Sequence, residues 1–376
     1  MQENTYVGLE VHRKSIVATA LDARGETIAE TKVGPSTQEL ADLLRTLPGS
    51  KHVVMEPCTI WEPVYESLER EGIDAVLTNP LRTRLIADAT IKTDRVDSLA
   101  LATLLRLAAI PRIYVLDAEV RAVRHLVRER YFYRRKMASV LHHTYAQLLR
   151  RGIVYPDRVL RTISGRKRIR SLGLPDVARA IDTVEFLREK TKELDREVHA
   201  AYLRMPEAQW LKTIPGVGEL AAVTLVAFLC PIERFPTIDR LSSYVGLAPT
   251  THPSGEFCYQ GKLKWDSNEL LQWLLIELSW CHRQKAPQGT VAKIGARVGR
   301  RRGKGKGTVA AAHKLLKIIY AILKEKRAYR PHAPERPAAM PPVQDPSRVA
   351  AMQCVRGIAL GPTAADRLLA QSGANS

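Results

Sequence analysis

Cysteine is scarce in this chain, with only five residues in 376, and no two of them stand at C-x-x-C spacing. The ten histidines form no H-x-x-x-H pair. A disulfide framework or a zinc site is therefore not expected, and free thiols fit a reducing cytoplasm, where we expect the protein to work. Long apolar runs are also lacking. Stretches such as 220–229 are much shorter than the ~20 residues that cross a bilayer, so no membrane span is expected.

Acidic residues are also few, since 39 Asp and Glu face 58 Lys and Arg, which gives a net charge of +19. Such an excess says little about the fold, but it favours a polyanionic partner, and nucleic acid is the first candidate. A merely basic or ribosome-associated protein is the alternative. No G-x-G-x-x-G motif follows a strand and no G-x-x-x-x-G-K-[ST] motif is present, which argues against a nucleotide-binding metabolic enzyme.

The hydrophobic pattern divides the chain into four regions. Residues 1–116 alternate strands and helices in the order of three strands, helix, strand, helix, strand and helices, which is the order of an RNase H-like (RuvC-like) α/β domain. Residues 117–205 are predicted to be all-helical, with a near-heptad apolar stripe between Val177 and Val198. This stripe indicates an antiparallel coiled-coil arm or a dimer seam.

The last two regions differ in composition. Residues 206–328 are predicted to form a mostly α-helical C-terminal domain that begins with Ile214-Pro-Gly-Val-Gly218, a turn similar to a helix-hairpin-helix element. Residues 329–376 are rich in proline and small residues and are predicted to be a mostly disordered tail.

Four acidic residues fall where an RNase H-like sheet would bring them together, namely Glu10, Glu56, Asp94 and Asp97. Glu10 ends the first predicted strand and Glu56 follows the fourth, while Asp94 and Asp97 share one face of the next helix. Converging carboxylates need divalent cations, and hard oxygen ligands favour Mg²⁺ or Mn²⁺. Taken singly, Glu10 is also compatible with an ordinary strand-end charge and Asp94 with a helix N-cap.

Three basic or glycine-rich segments are candidates for phosphate contact. In the first predicted helix of the middle region, arginine greatly exceeds acid. Ile214–Gly218 offers backbone N–H groups at a helix start. In the run 297–306, glycines are expected to keep the chain flexible while its cations bind phosphates. The candidate residues are Arg121, Arg124, Arg128, Arg134, Arg135, Gly216, Gly218, Arg297, Arg300, Arg301, Arg302, Lys304 and Lys306. A solvated helix face or loop, or a plain helix–helix turn, is the alternative at each.

Together these motifs resemble the DEDD transposases of the insertion-sequence family one-ten, which includes the Piv-like DNA invertases. The matching segments run in collinear order from about residue 5 to residue 328. They are Gly8-Leu-Glu-Val-His12, Glu56, Trp61-Glu-Pro-Val-Tyr65, Thr78-Asn-Pro80, Lys92-Thr-Asp-Arg-Val-Asp97, Ile214-Pro-Gly-Val-Gly218, Arg234-Phe-Pro236, Tyr244-Val-Gly-Leu-Ala-Pro249, Ser254-Gly255 and His313-Lys-Leu-Leu316.

The resemblance implies that Glu10, Glu56, Asp94 and Asp97 bind Mg²⁺ and that Ser254 attacks a DNA phosphate to form a covalent phosphoserine. By itself, the Ser254-Gly255 pair is typical of a turn. The resemblance also implies a homodimer or homotetramer in which the metal site assists the serine across a protomer boundary. Finally, it implies a structured guide RNA that selects the DNA by base pairing.

The sequence departs from the family pattern at the first acid, where Glu10 stands in place of aspartate. Glutamate is longer by one methylene, and two-metal chemistry is sensitive to geometry. Two alternatives stay open. One is a RuvC-like nuclease or junction resolvase that uses water and not Ser254, and the other, which Glu10 motivates, is a catalytically dead nucleic-acid-binding derivative of a transposase.

Overall fold

The computed structural model describes residues 4–86, 93–156, 158–254, 257–263 and 267–331, including the backbone path of 249–254 and 257–263. The chain forms two compact units that meet in sequence between Leu116 and Asp117. No helix within the described ranges is long and apolar enough to cross a membrane. The predicted tail lies almost wholly outside the described residues, from 332 onward.

The first unit contains a six-stranded mixed sheet of order β3-β2-β1-β4-β5-β6. The strands β1 (Asn4–His12), β2 (Ser15–Leu21) and β3 (Thr27–Val33) form an antiparallel meander. β4 (Ser50–Met55) and β5 (Asp74–Thr78) then run parallel to β1. The predicted order of elements is confirmed and is consistent with an RNase H-like domain, while the short edge strand β6 (Arg112–Ile113) was not predicted.

Helices cover both faces of this sheet. On one face, α1 (Thr37–Thr46) and α2 (Trp61–Arg70) pack on a core that includes Leu9 and Met55. On the other, α4 (Asp94–Arg106) packs its Leu101 and Leu105 on Val54 and Val76. A short helix, α3 (Pro80–Ile86), follows β5. The sheet is therefore buried on both sides, as the apolar character of its central strands requires.

Two long helices open the second unit, α5 (Ala118–Leu149) and α7 (Pro175–Arg204), with α6 (Ile163–Arg170) between them. Ion pairs of Arg130 with Asp195 and of Arg151 with Asp176 show that α5 and α7 run antiparallel. The buried residues of α7 include every member of the predicted stripe, which consists of Val177, Ile181, Val184, Leu187, Thr191, Leu194 and Val198. Coiled-coil geometry and dimerisation through these helices remain predictions.

The remaining helices surround one apolar helix, α9 (Glu219–Leu229), whose side chains from Ala221 to Leu229 are all buried. The same core takes in Val123, Val127 and Val198 from the long helices. Around it lie α8 (Pro206–Lys212), α10 (Ile238–Tyr244), α11 (Glu269–Lys285), α12 (Thr290–Arg302) and α13 (Lys304–Glu325). The predicted boundary between 117–205 and 206–328 stays a prediction, since both segments contribute to this core.

The expectation of a flexible glycine-rich loop at 297–306 is wrong. The run comprises the last turns of α12, a single connecting residue, Gly303, with φ of +92°, and the first turn of α13. Gly299 of this run lies where the two helices meet, because a Cβ on Gly307, just beyond the run, would stand 2.8 Å from the Gly299 Cα and 2.5 Å from the Gly295 carbonyl oxygen. Glycine here permits close helix packing rather than chain flexibility.

Candidate active site

Strand pairing sets the positions of Glu10 and Glu56. β1 and β4 are parallel, with Leu9 opposite Met55, so each glutamate is the next residue on its strand path. Side chains alternate between the faces of a sheet, and Gly8 and Val54 lie on the face covered by α4. Two residues along each chain, Glu10 and Glu56 project to that same face, at the carboxyl ends of neighbouring parallel strands.

The start of α4 brings in the two aspartates. The helix begins at Asp94, and the Thr93 hydroxyl accepts a hydrogen bond from the Val96 amide at 3.2 Å. Thr93 is therefore the N-cap, and the alternative that Asp94 serves only as the cap is wrong. Asp94 and Asp97 both lie in the first helical turn.

Two buried contacts hold α4 on the sheet. A side chain at Gly8 would overlap the Ser98 carbonyl oxygen and would place its Cβ 2.6 Å from the Ala102 amide nitrogen. The Ser98 hydroxyl shares a buried 2.7 Å hydrogen bond with that of Thr19 on β2. Because Ser98 follows Asp97 directly, these contacts fix the helix turn that carries the aspartates.

His12 connects the strand and helix contributions. Its Nε2 lies 3.1 Å from Oδ1 of Asp94 and 3.5 Å from Oε1 of Glu10. A protonated imidazole in this position would partly offset the negative charge of both groups. The sequence pattern did not single out His12, although it falls on the same strand face as Glu10, two residues further on.

Glu10 is electrostatically linked to the other three acids. Burial is the largest cause that raises the pKa of Glu10 above 4.5, and the negative charges of Glu56, Asp97 and Asp94 raise it further. The opposing influence of His12 is smaller than that of burial. We call Glu10, Glu56, Asp94 and Asp97 the acid site.

The acid site suits a hard cation by its donors. Carboxylate oxygens are the ligands that Mg²⁺ and Mn²⁺ favour, and a bound cation would stabilise the charged form of Glu10, which burial and the neighbouring carboxylates disfavour. Within the part of the chain that the structure describes, no three Asp, Glu, His or Cys side chains are already arranged to hold a metal ion. Beside Asp94 lies an open cleft of about 440 Å³, flanked by the Arg95–Glu30 ion pair at 2.6 Å.

The predicted nucleophile, Ser254, is the last residue of a strand in the second unit. β7 (Pro249–Ser254) pairs with β8 (Phe257–Leu263), with Ser254 opposite Phe257, so the serine lies at the tip of a two-stranded hairpin. We call β7 and β8 the serine hairpin. Its side chains, including that of Ser254, lie outside the described residues. The hairpin itself was not predicted, because its strands contain proline, glycine and polar residues in place of an apolar alternation.

Helices fasten the base of the serine hairpin. Gln272 of α11 donates a 2.6 Å hydrogen bond to the Gly246 carbonyl, just before β7, and the Asn268 amide donates to the Tyr244 carbonyl at 3.4 Å. Gly246 has φ of +74°, a conformation that favours glycine. Nearby, Nε2 of His313 on α13 lies 3.1 Å from the hydroxyl of buried Ser242 on α10, whose carbonyl accepts from the Leu247 and Ala248 amides just before the hairpin.

The glycine turn 214–218 is a tight connection between α8 and α9. Gly216 has φ of +92° and packs on the backbone of α11, so that a Cβ there would stand 2.9 Å from the His282 amide nitrogen. The Pro215 carbonyl lies 2.8 Å from Nδ1 of buried His282. Gly218 is the N-cap of α9 and has open space around it. Phosphate binding by Gly216 and Gly218 stays a prediction.

The five arginines predicted on α5 do not share one environment. Arg121 is buried, and Arg124 donates from Nε and Nη2 to the Ala227 carbonyl at 3.2 and 3.1 Å. The Arg124 guanidinium also lies over the Phe228 ring, and burial lowers its pKa to about 10, so it stays charged at neutral pH. Arg128, Arg134 and Arg135 are exposed. Arg124 thus supports the core, and phosphate contact by any of the five remains untested.

Comparison with known proteins adds the class and the family. Residues 7–151 match the profile of DEDD transposases of the IS110 type, and residues 208–291 match that of the transposase IS116/IS110/IS902 family. These two matches place the chain in the DEDD class of DNA transposases and recombinases. Together they cover the region of the acid site and the segment that contains Ser254. The chain belongs to the IS110 family of transposases.

Individual relatives agree with this assignment. The chain is 24% identical over 343 residues to the transposase for insertion sequence element IS1111A of Coxiella burnetii, across 88% of this chain and 92% of that protein. It is 24% identical to the putative transposase y4qE of Sinorhizobium fredii, of which the match spans only 55%. It is also 25% identical over 180 residues to the pilin gene-inverting protein of Moraxella lacunata, covering 44% of this chain and 53% of that protein.

Proposed function

We propose that this protein cuts and rejoins DNA strands, using the acid site to hold Mg²⁺ (or Mn²⁺) and Ser254 as the nucleophile. The observation that carries the proposal is the placement of four carboxylates at one edge of the sheet, where burial, and then the negative charges of Glu56, Asp97 and Asp94, raise the pKa of Glu10. A charge conflict of this kind costs stability and is typical of functional sites. It occurs here in a chain of a transposase family.

Within the acid site, each element has its own task. Glu10 and Glu56 hold fixed positions because adjacent parallel strands present them. The Thr19–Ser98 hydrogen bond fixes the position of α4 on the sheet, and with it the positions of Asp94 and Asp97. A bound divalent ion would supply Lewis-acid stabilisation of charge on the phosphoryl oxygens. The Arg95–Glu30 pair borders the cleft through which a DNA backbone would approach Asp94.

Ser254 supplies the covalent step. Its Oγ forms a bond to a DNA phosphorus as the P–O bond to one deoxyribose breaks. The serine loses its proton, and the departing sugar oxygen gains one. A sugar hydroxyl of the incoming strand then reverses the step and releases the serine. We place Ser254 of one protomer at the acid site of another in a homodimer or homotetramer.

Recognition of nucleic acid falls to the cationic surfaces. The exposed cations of α5 and of residues 297–306, where α12 meets α13, suit phosphate binding. Such contacts attract the nucleic-acid backbone but do not read its sequence. Sequence choice would then come from a structured guide RNA, in line with the net charge of +19.

The test is a covalent trap. The purified protein is incubated with junction DNA of its element, the flanking RNA and Mg²⁺, and a protein–DNA adduct is sought after denaturation. We expect an adduct with the unaltered protein and none with Ser254→Ala or Asp97→Ala. Ser243→Ala, on α10, is the control that should retain it. DNA cleavage that survives Ser254→Ala without an adduct would overturn the serine chemistry and support a water-using nuclease.

A second candidate follows from Glu10, whose extra methylene departs from the aspartate of the family pattern. If the unaltered protein binds DNA but forms no adduct, Glu10→Asp decides the matter. An adduct restored by Glu10→Asp would show an intact site limited by one side-chain length. Binding without reaction in both would support a catalytically inactive DNA-binding derivative.

A further inference from the structure

A cleft between α11 and α12 exposes an aromatic ring that the proposed chemistry does not use. The Trp280 side chain is 49% exposed, and the Arg283 guanidinium lies 5.3 Å from the centre of its ring system. The cleft has a volume of about 300 Å³, at the lower end of the range for ligand pockets, roughly 300–1,000 Å³. Its lining consists of Trp280, Arg283, Gln284, Pro287, Ala292 and Ala296.

The exposure of Trp280 follows from the geometry of α11. The buried stripe of this helix includes Leu275, Leu278 and His282, and Trp280 lies on another face. The residues that α12 contributes to the cleft are Ala292 and Ala296, whose small side chains leave room beside the ring. A single exposed apolar residue needs no explanation, but an indole at the wall of a cleft offers a planar apolar surface to a ligand.

The positive charge beside the cleft indicates which kind of ligand the cleft would bind. Ala292 and Ala296 are four residues apart on α12, so the next position on the same face is Arg300. Lys293 and Arg297 directly follow the two alanines. All three cations are exposed, and none has an acidic partner among the residues that the structure describes. A flat aromatic wall thus adjoins a row of unpaired cations.

We propose that this cleft binds an unpaired nucleobase, which stacks on Trp280 while α12 holds the phosphates of the same strand. The inference rests on the proposed action on nucleic acid and adds a contact with the bases to it. Arg283 stacks with aromatic rings, and the Gln284 amide can donate to and accept from a base edge. An apolar protein partner fits less well, since it would take the charged groups of Arg283 and of the neighbouring α12 cations out of water without a counter-charge.

The experiment measures base-dependent binding by the full chain. Affinity for a labelled twelve-residue thymidine strand is compared with that for an abasic strand with the same phosphates. The unaltered protein should prefer the strand with bases, and Trp280→Ala should lower that affinity roughly five- to a hundredfold, the range for lost base–aromatic stacks. Trp280→Phe should keep most of the preference. Arg300→Gln should weaken both strands equally, because it removes a phosphate contact only.

The matched control is Phe132 on α5, which is 52% exposed and carries the Lys136 ammonium 5.4 Å from its ring centre but does not line this cleft. Phe132→Ala should leave the base preference unchanged. If Trp280→Ala leaves it unchanged, or Phe132→Ala lowers it as much, the assignment is overturned. A uridine strand in place of thymidine tells whether the base comes from RNA or DNA, and a preference lost with Trp280→Ala on either strand supports the site.

This binding assay needs no strand transfer, so it separates the two proposals. Adduct formation combined with an unchanged preference in Trp280→Ala would overturn only the stacking site. A preference that depends on Trp280, in a protein that forms no adduct either unaltered or as Glu10→Asp, would overturn the proposed recombination and leave the stacking site standing.

Discussion

The acid site and the serine hairpin are held by different kinds of structure. Every member of the acid site comes from a sheet or from the helix packed on it, and the sheet is buried on both faces. Ser254 instead lies at the tip of two strands that form a sheet of their own, fastened at the base by Gln272 and Asn268. Substitutions near the acids should therefore disturb fold and chemistry together, whereas those at the hairpin base should disturb chemistry first.

The largest effect is expected at Gly8. In Gly8→Ala, the new methyl would meet backbone atoms of α4, which cannot move aside as a side chain can. We expect a loss of about 3 kcal/mol of unfolding free energy, at the upper end for overpacking, and loss of adduct formation as Asp94 and Asp97 shift. Chemical denaturation measures the first and the covalent trap the second. Gly218→Ala is the control: it has open space and φ of −93° and should cost no more than about 1 kcal/mol, the preference for glycine over alanine at an N-cap.

Arg124→Ala is expected to come next. It removes two hydrogen bonds to the Ala227 carbonyl and a cation–π contact with Phe228, both near the core of the second unit. Charged hydrogen bonds of this kind contribute roughly 1.5–3 kcal/mol, so unfolding should become easier by about 2 kcal/mol. Arg135→Ala, at an exposed position on the same helix, should leave stability unchanged in the same melt. Equal losses of stability in Arg124→Ala and Arg135→Ala would contradict a special role of Arg124 in supporting the core.

Gln272→Ala tests the hairpin base directly. Loss of one hydrogen bond to the Gly246 carbonyl should cost only about 1 kcal/mol of stability. The adduct rate should fall by more than that loss explains, because the strand leading to Ser254 loses its anchor. Gln209→Ala, on α8, removes a comparable hydrogen bond, to the Leu203 carbonyl of α7, and should not change the rate. Equal rates for both variants would contradict the anchoring role.

Glu10→Gln should give the smallest change, and a gain. Because the pKa of Glu10 is raised in the folded protein, its protonation favours folding. This contribution is complete below pH 4.5 and is lost as pH rises through the raised pKa. At neutral pH without divalent ions, Glu10→Gln should therefore melt at a higher temperature than the unaltered protein. The gain should vanish near pH 4, and exposed Glu69→Gln should show none.

Divalent ions provide a second test of the same difference in melting temperature between Glu10→Gln and the unaltered protein. Added Mg²⁺ should stabilise the unaltered protein more than Glu10→Gln, because the ion and the substitution relieve the same repulsion. A gain for Glu10→Gln that is independent of both pH and Mg²⁺ would contradict the electrostatic account of the acid site.

Sequence reasoning succeeded where a local pattern determines the structure. Apolar runs and turns gave the order of strands in the first unit, and the stripe on α7 gave its buried face. Sequence reasoning failed where one residue type is compatible with two structural roles. Gly299 and Gly303 suggested a flexible loop, but Gly299 lies at a contact between two helices and Gly303 is the single residue that connects them; Arg124 counted as surface charge but supports a core. His12 was missed because its role depends on the start of a helix far along the chain.

The corner between α12 and α13 has a consequence for ionic conditions. Six cations fall within the ten residues 297–306, and the close approach of the two helices keeps them together. In the free protein, small anions from the buffer will gather there, and a nucleic-acid strand must displace them. Each phosphate bound releases counterions, so the logarithm of affinity falls with the logarithm of salt by about 0.7–0.9 per contact. Salt concentration will thus tune how firmly this corner holds a strand, without any change in the protein's shape.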